Sequence, residues 1–250
     1  MSTPLNGSLI KAFEILRLFD EDQSELSAVT VAQKLGLNTS TAHRFLLTLE
    51  HVGALTSLRR GHFGLGPRLE ELGRLAELTN PLPVMVKPVL DAVSKDLNES
   101  VMACRLNRLG PVCVSVSESE RSISVIVKTG TVLPFQHSAQ GRLWLAHMTP
   151  ETRASYLQDG AVLRAHSQKQ IDPESFTKDL ETVRGKGYAL NLGDNEPDIA
   201  AVSVPVWNAE GDMILSLSVF GMLSRFDAEF VERAKSRLRA ASSEISSKWK

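Results

Sequence analysis

The chain has 250 residues, 42% of them hydrophobic and 23% charged, with a formal net charge of -1. That length suits two modest domains with real apolar cores, and the near-neutral balance excludes a chain that coats nucleic acid or an anionic membrane over its whole surface. No run of about eighteen apolar residues occurs, and Met1-Ser2-Thr3-Pro4-Leu5-Asn6-Gly7 lacks the basic-then-apolar order of a secretory leader, so a cytoplasmic protein without a membrane span is expected.

In chain order, the periodicity predicts a first helix over residues 8 to 20, capped by Ser8, with Leu9, Ala12, Phe13, Leu16 and Phe19 as its apolar stripe. A short second helix follows Ser27 as N-cap, with Val29, Ala32 and Leu35 on one face, and ends at Gly36. Asn38 then caps a third helix whose apolar positions are Ala42, Phe45, Leu46 and Leu49. Helix, Gly-containing turn and helix form a helix-turn-helix pattern. Residues 53 to 65 read as two short strands around the basic turn Arg59-Arg60-Gly61, which makes a winged helix-turn-helix.

Outside its apolar stripe the third helix carries Thr39, Ser40, Thr41, His43 and Arg44, hydroxyls and cations that suit phosphate oxygens and base edges in a major groove. Between residues 34 and 68 the cations Lys34, Arg44, Arg59, Arg60 and Arg68 face Glu50 alone, whereas the first 33 residues carry more acids than bases. Positive charge is therefore concentrated where a helix and wing would meet DNA. The expected DNA-contacting set is Asn38, Thr39, Ser40, Thr41, His43, Arg44, Arg59 and Arg60.

From Pro67, Leu69, Leu72, Leu75 and Leu78 recur every third residue in a charged background, as in a linker helix. Its leucine row suits either a domain core or a dimer seam. Thr79-Asn80-Pro81-Leu82-Pro83 breaks it, so the expected organisation is 1–66 for the DNA-binding domain, 67–80 for the linker helix and 81–250 for a second domain. That second domain opens with a helix through Val86, Val89, Leu90, Val93 and Leu97. Strands are expected at residues 100–106, 111–117, 123–128, 199–207 and 213–220. Helices are expected at 138–147, at 150–157 and 173–186 after the cap-then-proline pairs Thr149-Pro150 and Asp172-Pro173, and from Asp227 to Trp249. The result is an α+β fold class with an antiparallel-rich sheet. Cys104 and Cys113 lack metal-type spacing and read as reduced thiols in neighbouring strands.

The helix-turn-helix stretch taken with residues 133–142 (Leu-Pro-Phe-Gln-His-Ser-Ala-Gln-Gly-Arg), 184–189 and 201–206 resembles the IclR family of bacterial transcription regulators, over about residues 8 to 239. The resemblance implies a homodimer or dimer of dimers that binds double-stranded operator DNA, and a GAF-like effector-binding domain whose cavity takes a small organic metabolite. The implied effector-binding residues are Ile123, Ile126, Gln140, Gly141, Asn191, Ile199, Ala201, Ser218 and Phe220. A helix start at residues 138 to 141 suits an anion, so a carboxylate, with an aromatic body against the apolar remainder, is the expected ligand class. Gln140, Asn191, Ala201 and Phe220 depart from common family choices, which keeps open an occluded domain acting through protein interaction. No histidine falls in a His-Glu-x-x-His pair and no serine in a Gly-x-Ser-x-Gly elbow, so neither an enzyme nor a cofactor is expected.

Overall fold

The computed structural model describes residues 5–20, 22–79, 81–158, 172–194 and 196–248, in two compact units, Met1–Pro81 and Leu82–Lys250. His166 and Trp249 lie outside the described residues.

The first unit holds α1 (Gly7–Leu16), β1 (Leu26–Ser27), α2 (Ala28–Leu35), α3 (Thr39–His51), β2 (Leu55–Arg59), β3 (His62–Leu65) and α4 (Pro67–Thr79). Asn6, not Ser8, caps α1: its carboxamide oxygen accepts from the N–H groups of Ser8 and Leu9 at 3.0 and 3.3 Å. The helix ends at Leu16 rather than near residue 20, and the residue it buries is Ile15, while Leu9 and Phe13 stay 62% and 65% exposed. A face through Ala12, Ile15 and Leu16 packs on the core, so the wider stripe read from the sequence splits into a buried and an unpartnered half. In α2 the same shift puts Val31 inside and Val29 outside.

Local chemistry sets both ends of the helix-turn-helix. Ser27 Oγ accepts from Thr30 N–H at 3.2 Å, Gly36 closes α2 in the left-handed region at φ 63°, and Asn38 Oδ1 accepts from Thr41 N–H at 2.7 Å. Ala42, Leu46 and Leu49 of α3 then bury against Val31, Leu26 and Ile15. The wing has a strand the sequence did not suggest: β1 pairs with β3 (Leu26↔Phe63), giving the order β1-β3-β2. Where the chain leaves the wing, Gly66 lies so close to Gly53 O that a Cβ would sit 2.3 Å from it.

The second unit holds α5 (Leu82–Leu97), β4 (Ser100–Asn107), β5 (Gly110–Ser117), α6 (Ala139–His147), α7 (Pro150–Gln158), α8 (Pro173–Lys186), β6 (Ala189–Leu192), β7 (Ile199–Trp207), β8 (Met213–Met222) and α9 (Ala228–Lys248). The strands form an antiparallel sheet in the order β5-β4-β8-β7-β6. Period-two alternation divides its side chains. Val101, Val202, Val204, Leu215, Leu217 and Val219 pack with α5 and α9, and Met102, Cys104, Ala201 and Phe220 pack with α6 and α8. The sheet is thus covered on both faces.

Residues 123–128 are not a strand. The segment lies beyond edge strand β5, and past it only Val132 bridges to Val112. Side chains hold it instead: Arg121 Nε donates to Asn98 O at 2.7 Å, and Arg225 Nη2 reaches Ile123 O at 3.5 Å. The extra strand is β6, four residues long.

Candidate functional site

Along α3, Asn38, Thr39, Ser40, His43 and Arg44 are exposed and Thr41 is half-buried. Asn38 spends its carboxamide oxygen on the cap. Arg44 makes no ion pair among the described residues, and it lies roughly 160° around the helix from buried Leu46 at 100° per residue. Arg60, in the wing turn, is likewise exposed and without an ion pair among the described residues.

Arg59 differs. Its guanidinium donates to Glu25 Oε2 at 2.8 Å, and His62 Nδ1 lies 3.2 Å from the same oxygen. The Arg59 hydrogen bond, opposed by some desolvation, holds the Glu25 carboxyl below the usual carboxylate range. Glu25 therefore occupies the Arg59 guanidinium, a pairing that sequence reading missed because 34 positions separate the two and only the β1–β3 pairing joins them.

In the second unit, α6 starts at a tight cap. Ser138 Oγ accepts from Gly141 N–H at 2.9 Å and donates to Pro134 O at 2.6 Å. Gly141 is required by the close approach of the preceding loop: a Cβ there would lie 2.3 Å from the carbonyl oxygens of Pro134 and Phe135. Gln140 is 2% exposed, and its Nε2 has no hydrogen-bond partner among the described residues. An unsatisfied buried donor of this kind costs free energy, about 1–3 kcal/mol, unless something accepts from it.

The opposing sheet face places Asn191, Ala201 and Phe220 in one row across β6, β7 and β8. Beside that row Ser203 and Ser218, both fully buried, share a hydrogen bond of 2.9 Å. Asn191 Oδ1 accepts from Asp194 N–H at 2.8 Å, a bond that does not use its amide NH2. Hydroxyls and carboxamides inside an otherwise apolar layer can orient a small polar ligand. The Nη atoms of Arg142 are committed, pairing with Asp194 at 2.7 Å and Asp179 at 3.6 Å and donating to Leu190 O, while its buried Nε has no hydrogen-bond partner among the described residues.

The chain matches the model of the IclR helix-turn-helix domain over residues 8–59 and that of the bacterial transcriptional regulator IclR C-terminal domain over residues 79–247. The chain belongs to the IclR family of bacterial transcriptional regulators. It is 27% identical over 241 residues to the Pca regulon regulatory protein of Pseudomonas putida, covering 95% of this chain and 82% of that one. An IclR regulator from Alicyclobacillus acidocaldarius has the same fold, with a TM-score of 0.79, 28% identity and coverage of 98% and 99% of the two chains. An IclR homolog from Microbacterium hydrocarbonoxydans complexed with 4-hydroxybenzoate aligns with a TM-score of 0.74 at 24% identity over 96% and 98%. Membership in a family of regulators places the chain outside the enzymes. Among the described residues no helix is long and apolar enough to cross a membrane.

The structure brings some of the expected pocket residues together and separates others. Gln140, Gly141, Asn191, Ala201, Ser218 and Phe220 are brought to the α6-facing side of the sheet, and Ile199 shares that face at the first residue of β7, half-buried. Ile123 and Ile126 point out, 70% and 65% exposed. Val125 and Val127 pack inward in their place, against the cluster that holds Ala201 and Phe220. Ser203, also unforeseen, was legible as a hydroxyl on the same alternation as Ala201. At the other end of α6, burial and then the charge of Arg184 hold His147 below the usual imidazole range, and its ring meets Trp207 edge-on at 4.9 Å.

Proposed function

We propose that this IclR-type regulator acts in the cytoplasm, binding double-stranded operator DNA as a homodimer or dimer of dimers, and that a small organic acid bound against the α6-facing sheet layer changes that binding. The observation that carries the DNA reading is the exposed first half of α3, with its hydroxyls, His43 and an Arg44 that makes no ion pair among the described residues, together with the exposed Arg60 of the wing turn. Asn38, Thr39, Ser40, Thr41, His43, Arg44 and Arg60 are the contacts, with Arg59 joining once it leaves Glu25. Pairing through α4 is supported by its leucine row: Leu72, Leu75 and Leu78 are 47%, 43% and 68% exposed in the first unit. A second copy covers such a row in the way of a coiled-coil seam.

For the ligand, the unsatisfied Gln140 amide, the Ser203–Ser218 pair and Asn191 offer hydrogen bonds, while Val125, Val127, Ile199, Ala201 and Phe220 offer an apolar wall. Neutral donors of this kind suit a carboxylate with an aromatic or hydrocarbon body. The 4-hydroxybenzoate complex of a protein with this fold agrees in ligand class. One observation favours a second reading, a ligand-free domain working through protein contacts: Phe220 is 2% exposed and already fills part of the layer.

The test is a thermal-shift panel of aromatic and aliphatic acids with the full chain, followed by operator binding with and without each hit. A ligand at a hundred times its Kd should stabilise the protein by about 2.7 kcal/mol. A hit that also changes operator affinity supports the sensor reading. Stabilisation by none of them favours the ligand-free reading.

A further inference from the structure

Cys104 and Cys113 take no part in the functions above. They face each other at the end of the series Asn107↔Gly110, Leu106↔Pro111, Arg105↔Val112 and Cys104↔Cys113. Arg108 and Leu109 make a two-residue turn, so Asn107 and Gly110 exchange hydrogen bonds and the pairs alternate from there. By that parity Cys104 and Cys113 are a non-hydrogen-bonded pair. The backbone agrees independently: Cys113 N–H donates to Thr131 O at 2.9 Å and its carbonyl accepts from Gly130 N–H at 2.8 Å, so both groups turn away from β4.

At such positions the Cα atoms are about 4.5 Å apart and the side chains stand closest. That falls within the roughly 4.4–6.8 Å span that a disulfide bridges. Both side chains are buried in the same cluster, on one face of the sheet, and both are free thiols. A register shift between Ala103 and Cys104 loosens the ladder beside them.

We propose that Cys104 and Cys113 form a peroxide-oxidisable dithiol that closes to a cross-strand disulfide within the folded chain. Cys113 is the attacking thiol. It sits on edge strand β5, and its outward backbone groups are taken by Gly130 and Thr131, at the end of residues 118–131, a segment with neither helix nor strand. Opening that segment releases the Thr131 and Gly130 bonds and reaches Cys113 first, while Cys104 stays between β5 and β8. Cys104, as hydrogen-bond partner, holds Cys113 below the usual thiol range against the opposing effect of burial, and burial pushes Cys104 well above it. The Cys113 sulfur attacks one peroxide oxygen, the O–O bond breaks, and a sulfenic acid and one water form from hydrogen peroxide. Cys104 sulfur then attacks Cys113 Sγ, the S–O bond breaks, and the departing hydroxide takes the Cys104 proton as a second water. Two thiols lose two electrons and one peroxide gains them.

The experiment treats the native full chain with hydrogen peroxide and reads free thiols, intact mass and a non-reducing tryptic digest. Arg105 and Arg108 lie between the cysteines, so trypsin separates them unless a disulfide holds the two peptides together. Expected are loss of both titratable thiols, a mass lower by two hydrogens, linked peptides, and reversal by dithiothreitol. Cys104→Ala should stop at a dimedone-trappable sulfenic acid on Cys113, and Cys113→Ala should leave Cys104 reduced. If both variants fail to fold, the wild-type digest still decides. Survival of both thiols until the chain is denatured, or disulfides formed only between chains, would overturn the proposal. None of these readouts needs DNA or an effector, so they stand apart from the regulator reading.

Discussion

Replacing Arg44 by alanine separates binding from folding more cleanly than any other change in the first unit. The side chain is exposed, has no ion-pair partner among the described residues, and leaves the Thr48 Oγ1 bond to Arg44 O intact because that bond uses the backbone. Alanine is the better helix former, so stability should move by no more than about 0.5 kcal/mol. On DNA the loss depends on what the guanidinium touches. A phosphate contact lowers the salt slope by about 0.9 per protomer, so by about 2 for a dimer. A bidentate contact to guanine costs about 1–3 kcal/mol per half-site and relaxes preference at that base pair alone. Operator binding measured by fluorescence anisotropy across a salt series, beside a urea melt, gives all three quantities. Unchanged affinity and slope with an unchanged melt would refute the placement of α3 in the groove. A lowered melting midpoint would refute the reading of Arg44 as structurally idle.

Three further outcomes follow from the same geometry. Gly141→Ala should destabilise the protein by about 1–3 kcal/mol in a denaturant melt, despite the helix preference for alanine, because the new Cβ meets two backbone carbonyl oxygens that cannot swing aside. His147 is held below the usual imidazole range by burial and Arg184, so as pH falls through that range the unfolded chain takes up a proton that the folded chain refuses. Stability should therefore fall with pH just below the ordinary imidazole pKa and level off once the folded group also protonates, and His147→Gln should flatten that step. Leu72→Ala with Leu75→Ala should shift sedimentation toward monomer without lowering the melt of the first unit, since both side chains are exposed there; an unchanged assembly would return the seam to other surfaces.

What could be read from the sequence was what short-range chemistry decides. The caps at Ser27 and Asn38, the left-handed Gly36 and the proline starts at Pro150 and Pro173 each act within one helical turn, and each appears where its residue pattern places it. The stripe of α1 was harder, because Leu9, Phe13 and Ile15 are all apolar and the choice of buried face belongs to what packs on it. Residues 123–128 look like a strand from composition, yet a strand needs a neighbour with free backbone groups. Thr131 and Gly130 already take those of Cys113, and the segment becomes a strap whose odd valines turn inward. Ile126, of the opposite parity, turns out, and Ile123, ahead of the inward valines, is exposed as well. The Glu25 hold on Arg59, the Arg142 clamp and the facing cysteines join positions far apart or depend on register, which periodicity alone does not carry.

The most direct test of the regulator reading is binding of the purified full chain to labelled DNA from upstream of its own reading frame, over a series of salt concentrations, against nonspecific DNA of equal length. A specific complex favoured over the control by at least about 10³ at physiological salt is expected, with a steep negative salt slope that Arg44→Ala shallows. No affinity for either DNA even at low salt would contradict it.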